Sequence, residues 1–155
     1  MPEEAIVDTS ALIALEKINL QGILCRLYSQ ITVPQAVILE YGRPGIPCLS
    51  IVQVKSRLLN LLIHDLNLGR GESEVIALAA ETDTRAIIDD LRARKVAKNL
   101  GIKVVGTIGI LLKAESDGLI PSAYEKVKEL RGKGFHVSDK LLEEIATIRG
   151  YTTPV

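Results

Sequence analysis

Ala5-Ile6-Val7-Asp8-Thr9-Ser10-Ala11-Leu12-Ile13-Ala14-Leu15 is the stretch whose reading decides the fold. A short apolar run ends in the polar Asp8-Thr9-Ser10, after which Ala11, Leu12, Ala14, Leu15 and Ile18 recur with helical spacing. This is a strand, a polar turn and a helix.

The same order returns down the chain. Residues 20–28 have a helical pattern, and Ile31-Thr32-Val33 reads as a strand. Pro34 then takes the favoured first position of a helix that runs to Tyr41, with Glu40 near its end. Two glycines and two prolines make residues 42–47 a loop, and residues 51–54 are strand-like. Residues 58–63 are ambiguous. From Gly71 a helix carries Val75, Ile76, Leu78, Ala79 and Ala80, and the strand 85–88 follows it and ends in Asp89-Asp90. A helix over residues 91–100 stops at Gly101, which suits the left-handed conformation at a helix C-terminus. Residues 103–105 form the next strand, Gly106-Thr107 follows, and a helix covers 108–115. Two amphipathic helices, 122–131 and 138–149, close the chain. Strands alternating with helices predict an α/β fold with a central parallel sheet flanked by helices and right-handed crossovers. With no repeat and no linker, residues 1–155 are expected to form a single domain.

Composition agrees. Of 155 residues 47% are apolar but only 3% aromatic, so Leu, Ile, Val and Ala must fill the core, which suits helices on a buried sheet better than a sandwich. Basic and acidic residues number 19 each, so there is no global positive field, and any RNA contact must come from a local patch. Cys25 and Cys48 are isolated, with no Cys-x-x-Cys and no nearby His pair. Neither a zinc site nor a disulfide is indicated, and buried free thiols are expected. The start, Met-Pro-Glu-Glu, lacks the features of a signal peptide, and no run reaches the ~18–20 apolar residues of a membrane span. A soluble cytoplasmic protein is expected.

In open parallel sheets ligands bind beyond the C-terminal ends of the strands, and here that edge is acidic. Asp8 ends one strand, Asp89-Asp90 end another, Glu72 and Glu74 begin a helix, and Glu40 ends one. Several carboxylates with little base beside them are unfavourable unless a cation joins them. Oxygen donors select Mg²⁺ or Mn²⁺ over Zn²⁺, and such ions turn water into a nucleophile for phosphodiester cleavage. Each acid also has a plainer role: Asp8 and Asp90 as helix N-caps, Glu72 and Glu74 as first-turn acids favoured by the helix dipole, and Glu40 as a solvated surface residue. Residues two apart on a helix point about 200° apart, so Glu72 and Glu74 cannot both face one ion. Glu72 lies on the stripe of Ile76, Ala79 and Ala80, while Glu74 falls toward Ala77 and Glu81, which favours Glu72.

Taken together, Ile6-Val7-Asp8-Thr9-Ser10, Val33-Pro34-Gln35-Ala36-Val37-Ile38-Leu39-Glu40, Gly71-Glu72-Ser73-Glu74-Val75-Ile76-Ala77-Leu78-Ala79 and Ile87-Ile88-Asp89-Asp90 resemble the PIN-domain nucleases, especially their prokaryotic toxin-like (VapC-like) branch. The resemblance extends through Gly106-Thr107-Ile108-Gly109 to residues 134–138, nearly the whole chain. It implies Mg²⁺ or Mn²⁺, cleavage of single-stranded RNA, service as the toxin of a type II toxin-antitoxin pair with an antitoxin partner, and a homodimer. It implies the site Asp8, Glu40, Glu72 or Glu74, and Asp90, with Asp89 as alternate. Thr9, Ser10 and Thr107 match polar positions near that site. The Gly-Glu-x-Glu of this chain departs from the single Asp of the toxin branch and is more like the related flap endonucleases.

Arg92, Arg94, Lys95 and Lys98 follow Asp90, and positions 92, 95 and 98 share one side of their helix. Such a patch can position RNA phosphates, though a solvated helix face has the same pattern. His64 and His136 have no Ser or Cys partner at a recognisable spacing, and no P-loop or dinucleotide glycine motif occurs. A phospho-acceptor receiver domain would need an Asp on the third strand and a Lys after the fifth, and neither is evident. The rival to the nuclease is a non-catalytic module of the same fold that binds RNA or protein.

Overall fold

The apolar run at the head of the chain forms β1 (Ala5–Val7), whose three residues are all buried. A computed structural model describes residues 3–148. β1 pairs with β2 (Ile31–Pro34) on one side and β4 (Arg85–Ile87) on the other. β3 (Leu49–Val52) and β5 (Val104–Val105) pair outside them, and the sheet, in the order β3-β2-β1-β4-β5, is parallel throughout. The predicted α/β architecture is therefore the observed one. From β1 the strand order runs outward to β3, then returns to β4 beside β1. The order thus reverses between β1 and β4, the place where such sheets leave a crevice at their C-terminal edge.

The connections are helical: α1 (Thr9–Lys17), a 3-10 turn Gln21–Ile23 with α2 (Leu24–Leu27), α3 (Gln35–Tyr41), α5 (Arg70–Thr82) and α6 (Leu91–Asn99). The segment that fitted two readings is helical, α4 (Leu58–Asn60) followed by the π-helical turn Leu61–Asp65, and it buries Leu59 and Leu62. Gly101 has φ +80°, as its place after α6 requires.

Three expectations need correction. Pro34 is not the first helical residue: it ends β2 in extended conformation and precedes α3 as its N-cap. β3 begins two residues earlier than its apolar run suggests, because pairing with β2 aligns Ile31 with Leu49 and Pro34 with Val52. Cys25 and Cys48 are not free thiols but form a disulfide, with Cα atoms 5.6 Å apart across 23 positions of sequence. The cause is spatial: Ile31 N–H donates to the Cys48 carbonyl, so the start of β3 is pinned beside β2, near α2.

The chain divides into two compact units, one ending at Thr107 and one beginning at Ile108. The first holds the sheet. The second holds α7 (Thr107–Ser116) from its second residue, α8 (Ala123–Gly132) and α9 (Asp139–Ile148). Ser122 caps α8 by accepting the Glu125 N–H, Ala123, Val127 and Leu130 are buried at helical spacing, and Arg131 bonds Asp139 at 2.6 Å. The end of the last predicted helix, Arg149, lies outside the described residues. No helix among those described is long and apolar enough to cross a membrane.

Candidate functional site

Asp8 follows β1 and its N–H donates to the Ile87 carbonyl of β4, which places it in the crevice where the strand order reverses. Only 2% of it is exposed. Its carboxylate accepts the N–H of Thr9, the first helical residue, rather than those of the second or third that a capping Asp usually takes. Burial, with Glu72, Glu40 and Asp89 adding negative charge and the Thr9 bond opposing them, raises the Asp8 pKa from 3.8 to about 7.

Glu40 reaches this crevice from the end of α3. Its Oε2 accepts the Thr9 hydroxyl at 2.8 Å and its Oε1 the Gly71 N–H at 3.2 Å, so it ties the start of α1 to the start of α5. The approach is close enough that a Cβ at position 71 would stand 2.7 Å from Glu40 Oε1, so any larger residue there would push the Glu40 carboxylate aside. Glu72, half-buried one residue further along α5, has its pKa raised chiefly by burial and then by Asp90, with Glu40 adding to the rise and the Gly69 N–H opposing it. Glu72 and Asp90 are close enough for a protonated Glu72 to donate to its neighbour.

The two aspartates after β4 diverge. Asp90 caps α6 by accepting the Ala93 N–H at 2.9 Å. Asp89 accepts the Thr107 N–H at 2.7 Å and the Thr107 hydroxyl at 2.6 Å, which holds Thr107 beside the residues that follow β4. Position 106 is crowded in the same way, because a Cβ on Gly106 would lie 2.9 Å from Asp89 Oδ1 and 2.4 Å from the Arg94 guanidinium.

Glu74 sits elsewhere. Only 4% exposed, it accepts the Ala36 N–H at 3.0 Å and the Arg70 Nε–H at 2.9 Å. It therefore serves as an N-terminal cap for α3 supplied by another helix. Helix phase places Glu74 toward Ala77 and Glu81, but α5 buries Val75, Ile76, Ala77 and Ala79 alike, so it has no single apolar stripe to read. Glu74→Ala would leave the Ala36 N–H buried without a partner, and urea unfolding is expected to show a loss of about 1–3 kcal/mol.

Of the remaining predicted residues, Thr9 and Thr107 bond to Glu40 and Asp89, while Ser10 is exposed on α1. Lys95 and Lys98 are exposed on α6. Arg92 donates to the Asn67 and Leu66 carbonyls, and Arg94, half-buried, donates to the Ile88 carbonyl at 3.3 Å.

Asp8, Glu40, Glu72, Asp89 and Asp90 thus gather at one sheet edge, with the buried Asp8 as floor. Among the described residues no three acidic, His or Cys side chains are drawn together tightly enough to enclose an ion. Like charges repel, and Glu40, Asp89 and Asp90 turn instead to the O–H and N–H donors just named. The donor set still fits a hard divalent cation, since every group is a carboxylate and the deepest, Asp8, has its pKa raised first by burial and then by its acidic neighbours, a cost that a cation would offset.

A family model described as a PIN domain matches residues 4–149. Among solved structures the chain is similar to a PilT N-terminus domain protein from the hyperthermophilic archaeon Sulfolobus solfataricus P2, at 18% identity, with 72% of this chain and 92% of that one covered and a TM-score of 0.48. No curated protein matches the sequence.

Proposed function

This chain belongs to the PIN-domain family, a fold of the nuclease type, and from that premise we propose that it is a metal-dependent endoribonuclease that hydrolyses phosphodiester bonds of single-stranded RNA. The observation that carries this reading is the buried Asp8, its pKa raised to about 7 among Glu72, Glu40 and Asp89 at the strand-order reversal. A group so placed gains from a cation and is poorly explained by capping alone.

Asp8, Glu40, Glu72 and Asp90, with Asp89 as alternate, would hold Mg²⁺ or Mn²⁺. The bound ion supplies a nucleophilic water and offsets the charge that develops on the phosphate. Thr9 and Gly71 aim Glu40, and Thr107 aims Asp89. Lys95 and Lys98 offer phosphate contacts along the helix that Asp90 caps, while Arg92 is engaged by the Leu66 and Asn67 carbonyls and Arg94 by the Ile88 carbonyl. With RNA as the proposed substrate, we also propose a cytoplasmic location. By family likeness alone, we assign it the part of a type II toxin acting as a homodimer under control of an antitoxin. A small reading frame upstream and a sedimentation mass twice that of the chain would support this; their absence would count against it.

Incubation of single-stranded RNA with the protein and Mn²⁺ is expected to give fragments, and EDTA or Asp8→Asn to prevent them. Intact RNA under every metal condition would refute the reading. Gly71→Ala offers a finer check. Alanine suits a helix better than glycine by up to about 1 kcal/mol, so thermal stability should change little. The added Cβ displaces the Glu40 carboxylate, and cleavage should fall at least ~10-fold, the effect of misplacing one site group. A second reading draws on the caps: Asp90 caps α6 whatever else it does, and a non-catalytic RNA- or protein-binding module would keep that cap and bind no divalent ion.

A further inference from the structure

A groove of about 320 Å³ in the first unit is lined by Gln35, Leu39, Gln53, Val54, Arg70 and Glu74 among others. Its walls are the two helices that meet at the carboxylates. Leu39 precedes Glu40, Arg70 precedes Gly71, and the Gly71 N–H is bound to Glu40. The volume is at the small end of ligand pockets, suited to one nucleoside-sized group.

Two features of the lining point to the ligand. Leu39 is 78% exposed, an apolar side chain left in water at the groove wall. Arg70 is held through Nε by the buried Glu74, whose other oxygen is anchored on the Ala36 N–H. That pairing uses the Nε–H and leaves the two terminal amino groups of a guanidinium whose side chain is 62% exposed as a two-donor fork at the groove. The acceptor pair that matches such a fork on a nucleobase is O6 and N7 of guanine. Leu39 and Val54 supply apolar surface for the base faces, and the amides of Gln35 and Gln53 supply further donors and acceptors.

We propose that this groove is a base-recognition subsite selective for guanine, seating a nucleotide adjacent to the phosphodiester cut at the carboxylates. The position of the cut rests on the nuclease reading above; recognition of the base does not.

The test is fluorescence anisotropy in EDTA, where no strand is cut, with 5′-labelled oligouridines that carry a single guanosine, adenosine or cytidine at successive positions. Guanosine at one position should bind roughly 10-fold or more tightly than the other bases, the discrimination a two-donor contact gives. Arg70→Lys preserves an ion pair to Glu74 but not the fork, and should level the four bases. Leu39→Asn should weaken binding to every base. Equal affinity for all bases, or a guanosine preference that survives Arg70→Lys, would overturn the subsite. So would a dimer that Leu39→Asn splits in sedimentation with no base preference, which would make the groove a contact between copies. Cleavage in Mn²⁺ without base preference sinks the subsite and leaves the nuclease standing. A guanosine preference lost in Arg70→Lys, in a protein that cuts nothing, does the reverse.

Discussion

Asp8→Asn is expected to make the protein more stable, by as much as about 4 kcal/mol above pH 7 in EDTA, while ending its cleavage of RNA. The sign follows from burial. The folded-state pKa of Asp8, about 7, lies above its ordinary 3.8, so the folded chain holds this proton more tightly than the unfolded chain does. Its contribution to stability is fully present below pH 3.8, declines as pH rises, and is lost once pH passes about 7. Above that point the wild type bears a buried charge that asparagine does not. Below pH 4 the two proteins should unfold alike. Urea unfolding at pH 4, 6 and 8 measures the trend; a variant less stable than wild type at pH 8 would show that the Thr9 bond, rather than charge burial, governs the position. Enhanced stability with lost activity is the pattern of a group retained for function at the expense of the fold.

Opening the Cys25–Cys48 bridge is expected to have the next largest effect. The bridge closes a loop over 23 positions, and restricting an unfolded chain by a loop of that length is worth about 3 kcal/mol. Melting with and without a reductant should differ by roughly 6–12 °C, and Cys25→Ser should match the reduced protein. The bridge lies by the N-terminal end of β3, while the carboxylates lie beyond the C-terminal ends of β1 and β4. RNA cleavage well below the melting range is therefore expected to persist after reduction. Equal melting temperatures in both conditions would mean that β2–β3 pairing alone holds this edge.

Those two effects also mark what the sequence reveals and what it hides. The strand-turn-helix at Asp8 and the one at Asp89-Asp90 are local patterns, and each reads directly as a strand ending in acid. Their union in one crevice follows from parallel order, so the candidate carboxylates are legible in the sequence. The disulfide is not, because its two halves have no local motif and meet only when β3 aligns with β2. Pro34 misled for a related reason: its fixed φ suits the end of a strand as well as the start of a helix, and the β3 partner decides between them. Helix phase favours Glu72 over Glu74 as a ligand but does not reveal the bonds of Glu74, because phase identifies a helix face only when one face is wet. In α5 the burial runs nearly all round, and the Glu74 carboxylate, placed by phase toward Ala77 and Glu81, accepts the Ala36 N–H of α3. Gly71 and Gly106 are legible as glycines but not as contacts, for the side-chain atoms that a Cβ there would meet come from Glu40 on α3 and from Arg94 on α6 with Asp89 after β4.

Whether the acids are a cation site or a set of helix caps is decided most directly by calorimetric titration of the EDTA-treated, dialysed protein with Mn²⁺ at pH 8, beside Asp8→Asn. Saturable binding to the wild type that Asp8→Asn weakens by at least ~10-fold is the result predicted for a cation site. No saturable heat in either protein, or identical binding to both, would contradict it.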